Sequence, residues 1–198
     1  MVDEIFFRLI FSALWILFFI IFGWVAHATK WSAGRKMSRR AERLRAVALA
    51  FAVMYFLAAL FYALAPSWLS LSNIPFPDWI RAIMVGIAAL GLSFVSWALR
   101  SLGRNWAPSL SGIRKDTFLV TGGPYGIVRH PIYFGAVMFL GSLSILSANL
   151  LIILPTIVLI ILLYAQLPDE ESMLLERFGD DYREYMKRTP RFIPRFRV

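Results

Sequence analysis

The residues best equipped for chemistry fall in two clusters. The first runs Thr121-Gly122-Gly123-Pro124-Tyr125-Gly126 and continues through Ile127-Val128-Arg129-His130-Pro131-Ile132-Tyr133-Phe134-Gly135. Its leading glycines mark a turn at which the backbone can approach a ligand closely. His130 precedes a proline, which disfavours helical backbone angles, so it reads as the last extended residue before a helix that opens at Pro131. The second cluster is Asp169-Glu170-Glu171, directly after Pro168. A carboxylate there can accept hydrogen bonds from a ribose diol or an ammonium group and favours a cationic ligand, while Tyr125, Phe118 and Tyr133 offer aromatic faces to an adenine or a sulfonium. Both clusters also have plainer explanations. The first fits a Pro-initiated helix anchored at an interface by Arg129 and Tyr133. The second complements the positive end of a helix dipole, an effect worth about 0.3 to 1 kcal/mol. Three acids in succession exceed that need.

The elements that must position these clusters are set by lipid. Of the 198 residues, 59% are hydrophobic and 16% aromatic, more apolar surface than a water-soluble fold can cover. Bilayer-length apolar runs span Ile5 to Ala26, Ala46 to Ala65, Ile80 to Leu99 and Ile132 to Leu167. The last run is long enough for two spans, and Ser147-Ala148-Asn149 breaks it, so it reads as a hairpin with Asn149 in the turn. Pro155 then falls near the start of the fifth span, where a missing N–H does least harm. The first run is too long for the apolar core of a signal peptide and no small-residue cleavage site follows it, so it too is read as a helix. The fold class predicted is an all-α integral membrane protein of about five transmembrane helices. Residues 1–99 form a three-span N-terminal part, and residues 100–198 supply a cytoplasmic loop, the hairpin and C-terminal helices.

The excess of basic residues is a topology signal. Of 21 Lys and Arg, seven lie in Lys30 to Arg45, five in Arg100 to Arg129 and seven after Leu167. These segments share one face in a five-span chain, which the positive-inside rule makes cytoplasmic, with the N-terminus outside and the C-terminus inside. The charges can also hold anionic lipid headgroups, at about 1 kcal/mol for each residue near the surface. No nucleic-acid-binding module or aromatic-basic interleaving accompanies them, so nucleic acid is not an expected partner, nor is an obligate protein partner. With no cysteine, and with two histidines in unrelated settings, thiol chemistry, disulfides and a metal centre are not expected either.

Segment 67–79, with Trp68, Pro75, Pro77 and Trp79, reads as an outer lid of interfacial aromatics. The first two spans carry few polar groups and are expected to pack against the third. After Leu167 the tail reads as two short helices, one starting at Pro168 and ending at Gly179, the next starting at Asp180-Asp181 and stopping before Pro190. The second carries Tyr182, Tyr185 and Met186 on one face, suited to lying over the loop or on the membrane surface. In this topology the fourth span begins and the fifth ends at the same face, so His130 and Tyr133 meet the acidic cluster in one site.

The ordered motifs resemble those of the isoprenylcysteine carboxyl methyltransferase family. They are Gly123-Pro124-Tyr125, Arg129-His130-Pro131-x-Tyr133-x-Gly135, Glu170-Glu171, Phe178-Gly179-x-x-Tyr182 and Pro190-x-x-x-Pro194, preceded by Leu102-Gly103-Arg104-Asn105-Trp106 and Leu119-Val120. The resemblance covers about Ala98 to Pro194. It implies an S-adenosylmethionine-dependent methyltransferase whose product is S-adenosylhomocysteine. The cofactor would be enclosed by Thr117, Phe118, Leu119, Val120, Tyr125, His130, Pro131, Ile132, Tyr133, Glu170 and Glu171. It further implies a lipophilic or prenylated acceptor in the membrane, methylated on a carboxylate. Eukaryotic members carry an arginine four residues before the first glutamate; here that position is Gln166, which can hydrogen-bond a carboxylate without a charge, so Arg129 or Arg104 is the expected source of positive charge. An ionised carboxylate attacks a sulfonium methyl directly, so no catalytic base is expected. The Arg-His-Pro-x-Tyr signature is shared with phospholipid N-methyltransferases and membrane sterol reductases that use NADPH. Those activities, methylation of another small amine or acid, and a non-catalytic membrane scaffold are the alternatives.

Overall fold

In a computed structural model, residues 4–28, 39–105 and 118–193 are described, and the fold is all-helical among them. Four long helices are α1 (Glu4–Ala28), α2 (Arg39–Leu64), α3 (Asp78–Leu102) and α6 (Leu150–Arg188). Between α3 and α6 lie a one-turn helix, α4 (Pro124–Ile127), and α5 (Pro131–Ser147). Helices α1, α2, α3 and α6 are long and apolar enough to cross a membrane, and α5, at 17 residues, is a shorter apolar helix. The five apolar segments expected are thus present as helices, and the chain is an integral membrane protein by these helices.

The hairpin between α5 and α6 turns at Ala148, whose left-handed φ of 50° ends α5, and at Asn149, whose Oδ1 accepts the Leu151 N–H at 3.0 Å. Asn149 is fully buried. Its Nδ2 donates to the Leu69 carbonyl at 3.0 Å and to Asn73 Oδ1 at 2.8 Å, and Ser72 Oγ donates to its Oδ1 at 3.1 Å. One amide therefore ties the hairpin to the segment after α2, where Pro66–Ser72 forms a 3₁₀ helix.

Helices α3 and α5 cross at contact distance because glycines face each other there. A Cβ on Gly91 would stand 2.7 Å from the Phe139 nitrogen and 2.9 Å from the Gly135 carbonyl oxygen, and one on Gly135 would stand 2.7 Å from Val95 Cγ2. Small residues let backbones approach where lipid offers no hydrophobic drive for association. Gly135, part of the motif that follows His130, thus fixes α5 on α3 and so sets where Tyr133 lies.

Two features differ from the expectations, and a third was not anticipated. Helix α2 does not pack mainly on α3; it lies against α6. There Arg40 Nη1 pairs with Asp169 at 3.7 Å, and Tyr55, Ala59 and Tyr62 join a core that includes Ile152. Nor does a new helix start at Pro168. Because the four-residue backbone ladder can be broken at one proline and still continue, α6 runs on through Pro155 and Pro168, and it kinks at Gly179 (φ 53°, ψ −122°), a conformation only glycine adopts easily. The expected second tail helix is the part of α6 beyond that kink. Finally, the lone arginine of the third span is not idle. Arg81 is buried, its guanidinium bonds Glu4 twice at 2.6 and 3.0 Å and the Leu146 carbonyl at 2.9 Å, and it sits 4.1 Å from the Phe7 ring centroid. This network binds α1, α3 and α5 at the end opposite His130. An intramembrane charge requires a partner, and that rule was the signal available in the sequence.

Candidate functional site

At the other end of α5, backbone geometry delivers the motif residues one by one. Gly123 adopts a left-handed φ of 60°, with Ser101 Oγ 3.1 Å from where a Cβ would be, and turns the chain into α4. Tyr125 is buried under α6, where Tyr185 donates its hydroxyl proton to the Tyr125 carbonyl at 2.6 Å. Val128 is extended and Pro131 occupies the first turn of α5; His130 caps that helix at φ −120° and ψ 63°, outside the helical region as the following proline requires but not in the extended conformation expected of it.

The three consecutive acids point three ways. Asp169 faces Arg40 of α2. Glu170 faces α5, where Tyr133 donates its hydroxyl proton to Glu170 Oε2 at 2.6 Å. Glu171, buried, is surrounded by donors: Arg129 Nη2 at 2.9 Å and Nε at 3.2 Å, His130 Nε2 at 3.2 Å, and Arg191 through both Nε and Nη2, the last a very short contact. Burial alone pushes the Glu171 carboxyl up, but the hydrogen bonds from His130, Arg191 and Arg129 outweigh it and hold the group well below the usual carboxylate range. Arg129 is equally committed, donating from Nη1 to the Thr189 carbonyl at 2.6 Å and the Met186 carbonyl at 3.2 Å.

The expected residues therefore divide. Tyr133 and Glu170 meet, with Tyr125 close enough for the Glu170 charge to help burial push its phenol up, so it stays neutral. Arg129, His130 and Glu171 form a second, adjoining cluster. Gln166 is buried one turn of α6 before Glu170, and Pro131 is buried at the start of α5. Ile132 packs on the cluster of Val25, Val95 and Leu99. Leu119 and Val120 are half-buried, and Phe118 is largely exposed, with its N–H donated to Asn105 Oδ1 at 3.2 Å. Thr117 and the Arg104 side chain lie outside the described residues.

Three residues not expected here complete the surroundings. Arg191 closes on Glu171 as above, and Phe192 lies against both the His130 ring (centroids 6.1 Å apart, stacked) and the Tyr164 ring (4.7 Å). Tyr182, an element of the tail motif, is buried next to Tyr185, and its hydroxyl has no hydrogen-bond partner among the described residues. It lies within electrostatic reach of Glu171, Arg129 and Glu170. The tail contacts join a segment without helical or strand pattern to a turn 60 residues away, which no periodicity signals; the unpaired phenol was indicated only by the motif.

The fold and site define a polytopic helical membrane protein with a polar cluster at one end of a two-helix hairpin. Residues 84–176, which include Tyr125, Arg129, His130, Tyr133, Glu170 and Glu171, match the isoprenylcysteine carboxyl methyltransferase (ICMT) family model. The chain is 34% identical over 112 residues to the protein-S-isoprenylcysteine O-methyltransferase of Schizosaccharomyces pombe, covering 56% of this chain and 48% of that one. It is 29% identical over 117 residues to the cobalt-zinc-cadmium resistance protein CzcN of Cupriavidus metallidurans, covering 59% and 52%. It thus spans about half the length of these curated relatives. The solved structure of the eukaryotic intramembrane Ras methyltransferase ICMT shares the fold, with a TM-score of 0.53 at 24% identity, over 79% of this chain and 54% of that one.

Proposed function

We propose that this chain is an S-adenosylmethionine-dependent methyltransferase acting at the cytoplasmic face of a membrane on a lipophilic acceptor, by carboxyl O-methylation of an isoprenylcysteine-like group. The observation that carries the reading is the 2.6 Å bond between Tyr133 and Glu170, which joins the start of α5 to the exit of α6. The family match over 84–176 supports it. The residues present fit the cofactor: a carboxylate suited to a ribose diol or an ammonium, bonded by Tyr133 and within electrostatic reach of Tyr125, with the His130 ring beside Tyr133 and the buried Tyr182 hydroxyl without a partner among the described residues. Glu170, Tyr133, Tyr125 and His130 would hold it, with Leu119 and Val120 on the loop side. When bound it supplies a methyl group activated by a sulfonium.

The chain's own residues then have three tasks. Tyr133 fixes the Glu170 carboxylate by donating to one oxygen, which leaves the other free to orient a ligand. Glu171, held ionised by Arg129, His130 and Arg191, locks the loop, the start of α5 and the tail into one arrangement. Burial excludes water, which strengthens electrostatic contacts and removes hydration from the acceptor oxygen. An acceptor carboxylate is ionised at neutral pH, so the chain has no proton to take at the reacting atom.

The orientation proposed puts the N-terminus outside and the C-terminus in the cytoplasm, because five spans in sequence assign the three basic segments to the face of His130 and Glu170, which the positive-inside rule makes cytoplasmic. Binding of S-adenosylhomocysteine, tested against NADPH by calorimetry on the detergent-purified chain, checks the cofactor. A base-labile methyl product checks the acceptor group: a base-stable N-methyl product, or affinity for NADPH alone, would replace the reading.

A further inference from the structure

The last described residues of the chain do not trail from α6. They double back across the site: the Arg129 N–H donates to the Pro190 carbonyl at 2.8 Å and the His130 N–H to the Arg191 carbonyl at 3.3 Å. Arg129 Nη1 holds the Thr189 carbonyl at 2.6 Å, Thr189 is buried, and Arg191 is bonded to Glu171. Residues 189–191 are thus strapped to the entrance of α5 by backbone and side-chain bonds together. The strap places the Phe192 ring between two residues of opposite surroundings. On one side is His130, buried and directly beside Tyr133, with ring centroids 5.7 Å apart. On the other is Tyr164, exposed in line with Leu154, Ile157 and Ile161 at helical spacing along the outer side of α6. That side faces lipid in a membrane-spanning helix.

We propose that Phe192 selects the acceptor: its ring stands where a lipophilic group passes from the bilayer along α6 to the Tyr133–Glu170 pair, and its size limits how broad that group can be. The inference rests on the methyl-transfer reading above and adds the residue that discriminates among acceptors. The strap sets where the ring stands, since Arg129 and Arg191 both bond the Glu171 carboxylate and hold residues 189–191, directly before Phe192, to the start of α5. A wall of one aromatic ring discriminates by shape, and apolar pockets of this kind separate substrates by about 10- to 200-fold.

The test uses the full chain in lipid vesicles with two acceptors, an S-farnesylcysteine derivative and an S-alkylcysteine bearing one unbranched chain of similar hydropathy. Phe192→Ala is expected to raise the kcat/KM ratio of broad to narrow acceptor by about tenfold, mostly through KM, and Phe192→Trp to lower it. S-Adenosylhomocysteine affinity stays within about twofold in both, and Ile193→Ala, at an exposed neighbour, changes none of these. A ratio unmoved in both variants overturns the proposal, as does a parallel loss of S-adenosylhomocysteine affinity, which would make the ring part of the cofactor site. A second arm is independent of turnover: p-benzoylphenylalanine in place of Phe192 is irradiated with the farnesylcysteine derivative. Capture that excess unlabelled derivative competes away supports the proposal, and capture of bulk lipid alone overturns it. If the wild-type chain transfers no methyl group, the methyltransferase reading fails while this arm still decides the role of Phe192.

Discussion

The Tyr133 hydroxyl donates to Glu170 Oε2 at 2.6 Å across 37 residues of sequence, and that one bond connects the start of α5 to α6 beyond its apolar stretch. It also fixes what each residue can do. A tyrosine that donates to a carboxylate orients it without neutralising it. Tyr133→Phe is therefore expected to keep the charge and lose the orientation, weakening S-adenosylhomocysteine by about tenfold, the scale of a hydrogen bond to a charged group. Titration calorimetry on the detergent-solubilised variant checks this, and an unchanged affinity would leave the tyrosine a helix-pairing residue only.

Glu171 is expected to behave differently from its neighbour. Its folded-state pKa is depressed by His130, Arg191 and Arg129 against the opposing effect of burial. Its stabilising contribution is therefore fully present above the unfolded carboxyl pKa of about 4.3 and is lost as pH falls toward the depressed folded value. Thermal unfolding of wild type and Glu171→Gln should differ most above about pH 5, with the gap closing as the pH drops below about 4. A gap independent of pH would mean the ion cluster does not stabilise through its charge.

At the α3–α5 crossing, Gly135→Ala places a methyl group 2.7 Å from Val95 Cγ2 and 2.9 Å from the Gly91 carbonyl oxygen. Overpacking of this kind costs about 1 to 3 kcal/mol. Gly141→Ala, at a position with open space, serves as the control. The melting temperature should fall for the first and hold for the second; equal effects would show that the crossing tolerates a wider spacing.

Asn149→Ala removes the acceptor for the Leu151 N–H and leaves the Leu69 carbonyl and the Asn73 side chain without their buried donor. Each buried polar group so orphaned costs about 1 to 3 kcal/mol. Stability should drop while the cofactor affinity of the protein that remains folded is unchanged, because the turn lies at the opposite end of α5 from His130. A weakened affinity at full folding would mean that the hairpin turn transmits to the site.

Much of this arrangement was legible in the sequence because bilayer-length runs, a polar break at Asn149 and a pre-proline histidine each have one physical meaning. The nearness of Tyr133 and His130 to the acidic cluster followed from topology, since the two ends of a hairpin share a face; that Tyr133 bonds Glu170 and His130 bonds Glu171 did not. What stayed hidden depended on helix phase and on irregular backbone. Asp169 turns to Arg40 because α6 continues through Pro168 without a break, and a continuous helix spreads three successive acids over about 200° of its circumference. The Phe192 ring reaches His130 through a strap with no repeating pattern. Arg81 and Glu4, isolated charges 77 residues apart, gave a demand for partners without naming them.

The most direct test of the account is S-adenosylhomocysteine affinity in Glu170→Ala beside wild type, measured by calorimetry in detergent with melting temperatures recorded for both. Wild type is expected to bind, and Glu170→Ala to lose binding while remaining folded. Unchanged affinity in the folded variant would remove Glu170 from the site and contradict the claim that the start of α5 and the exit of α6 enclose one cofactor.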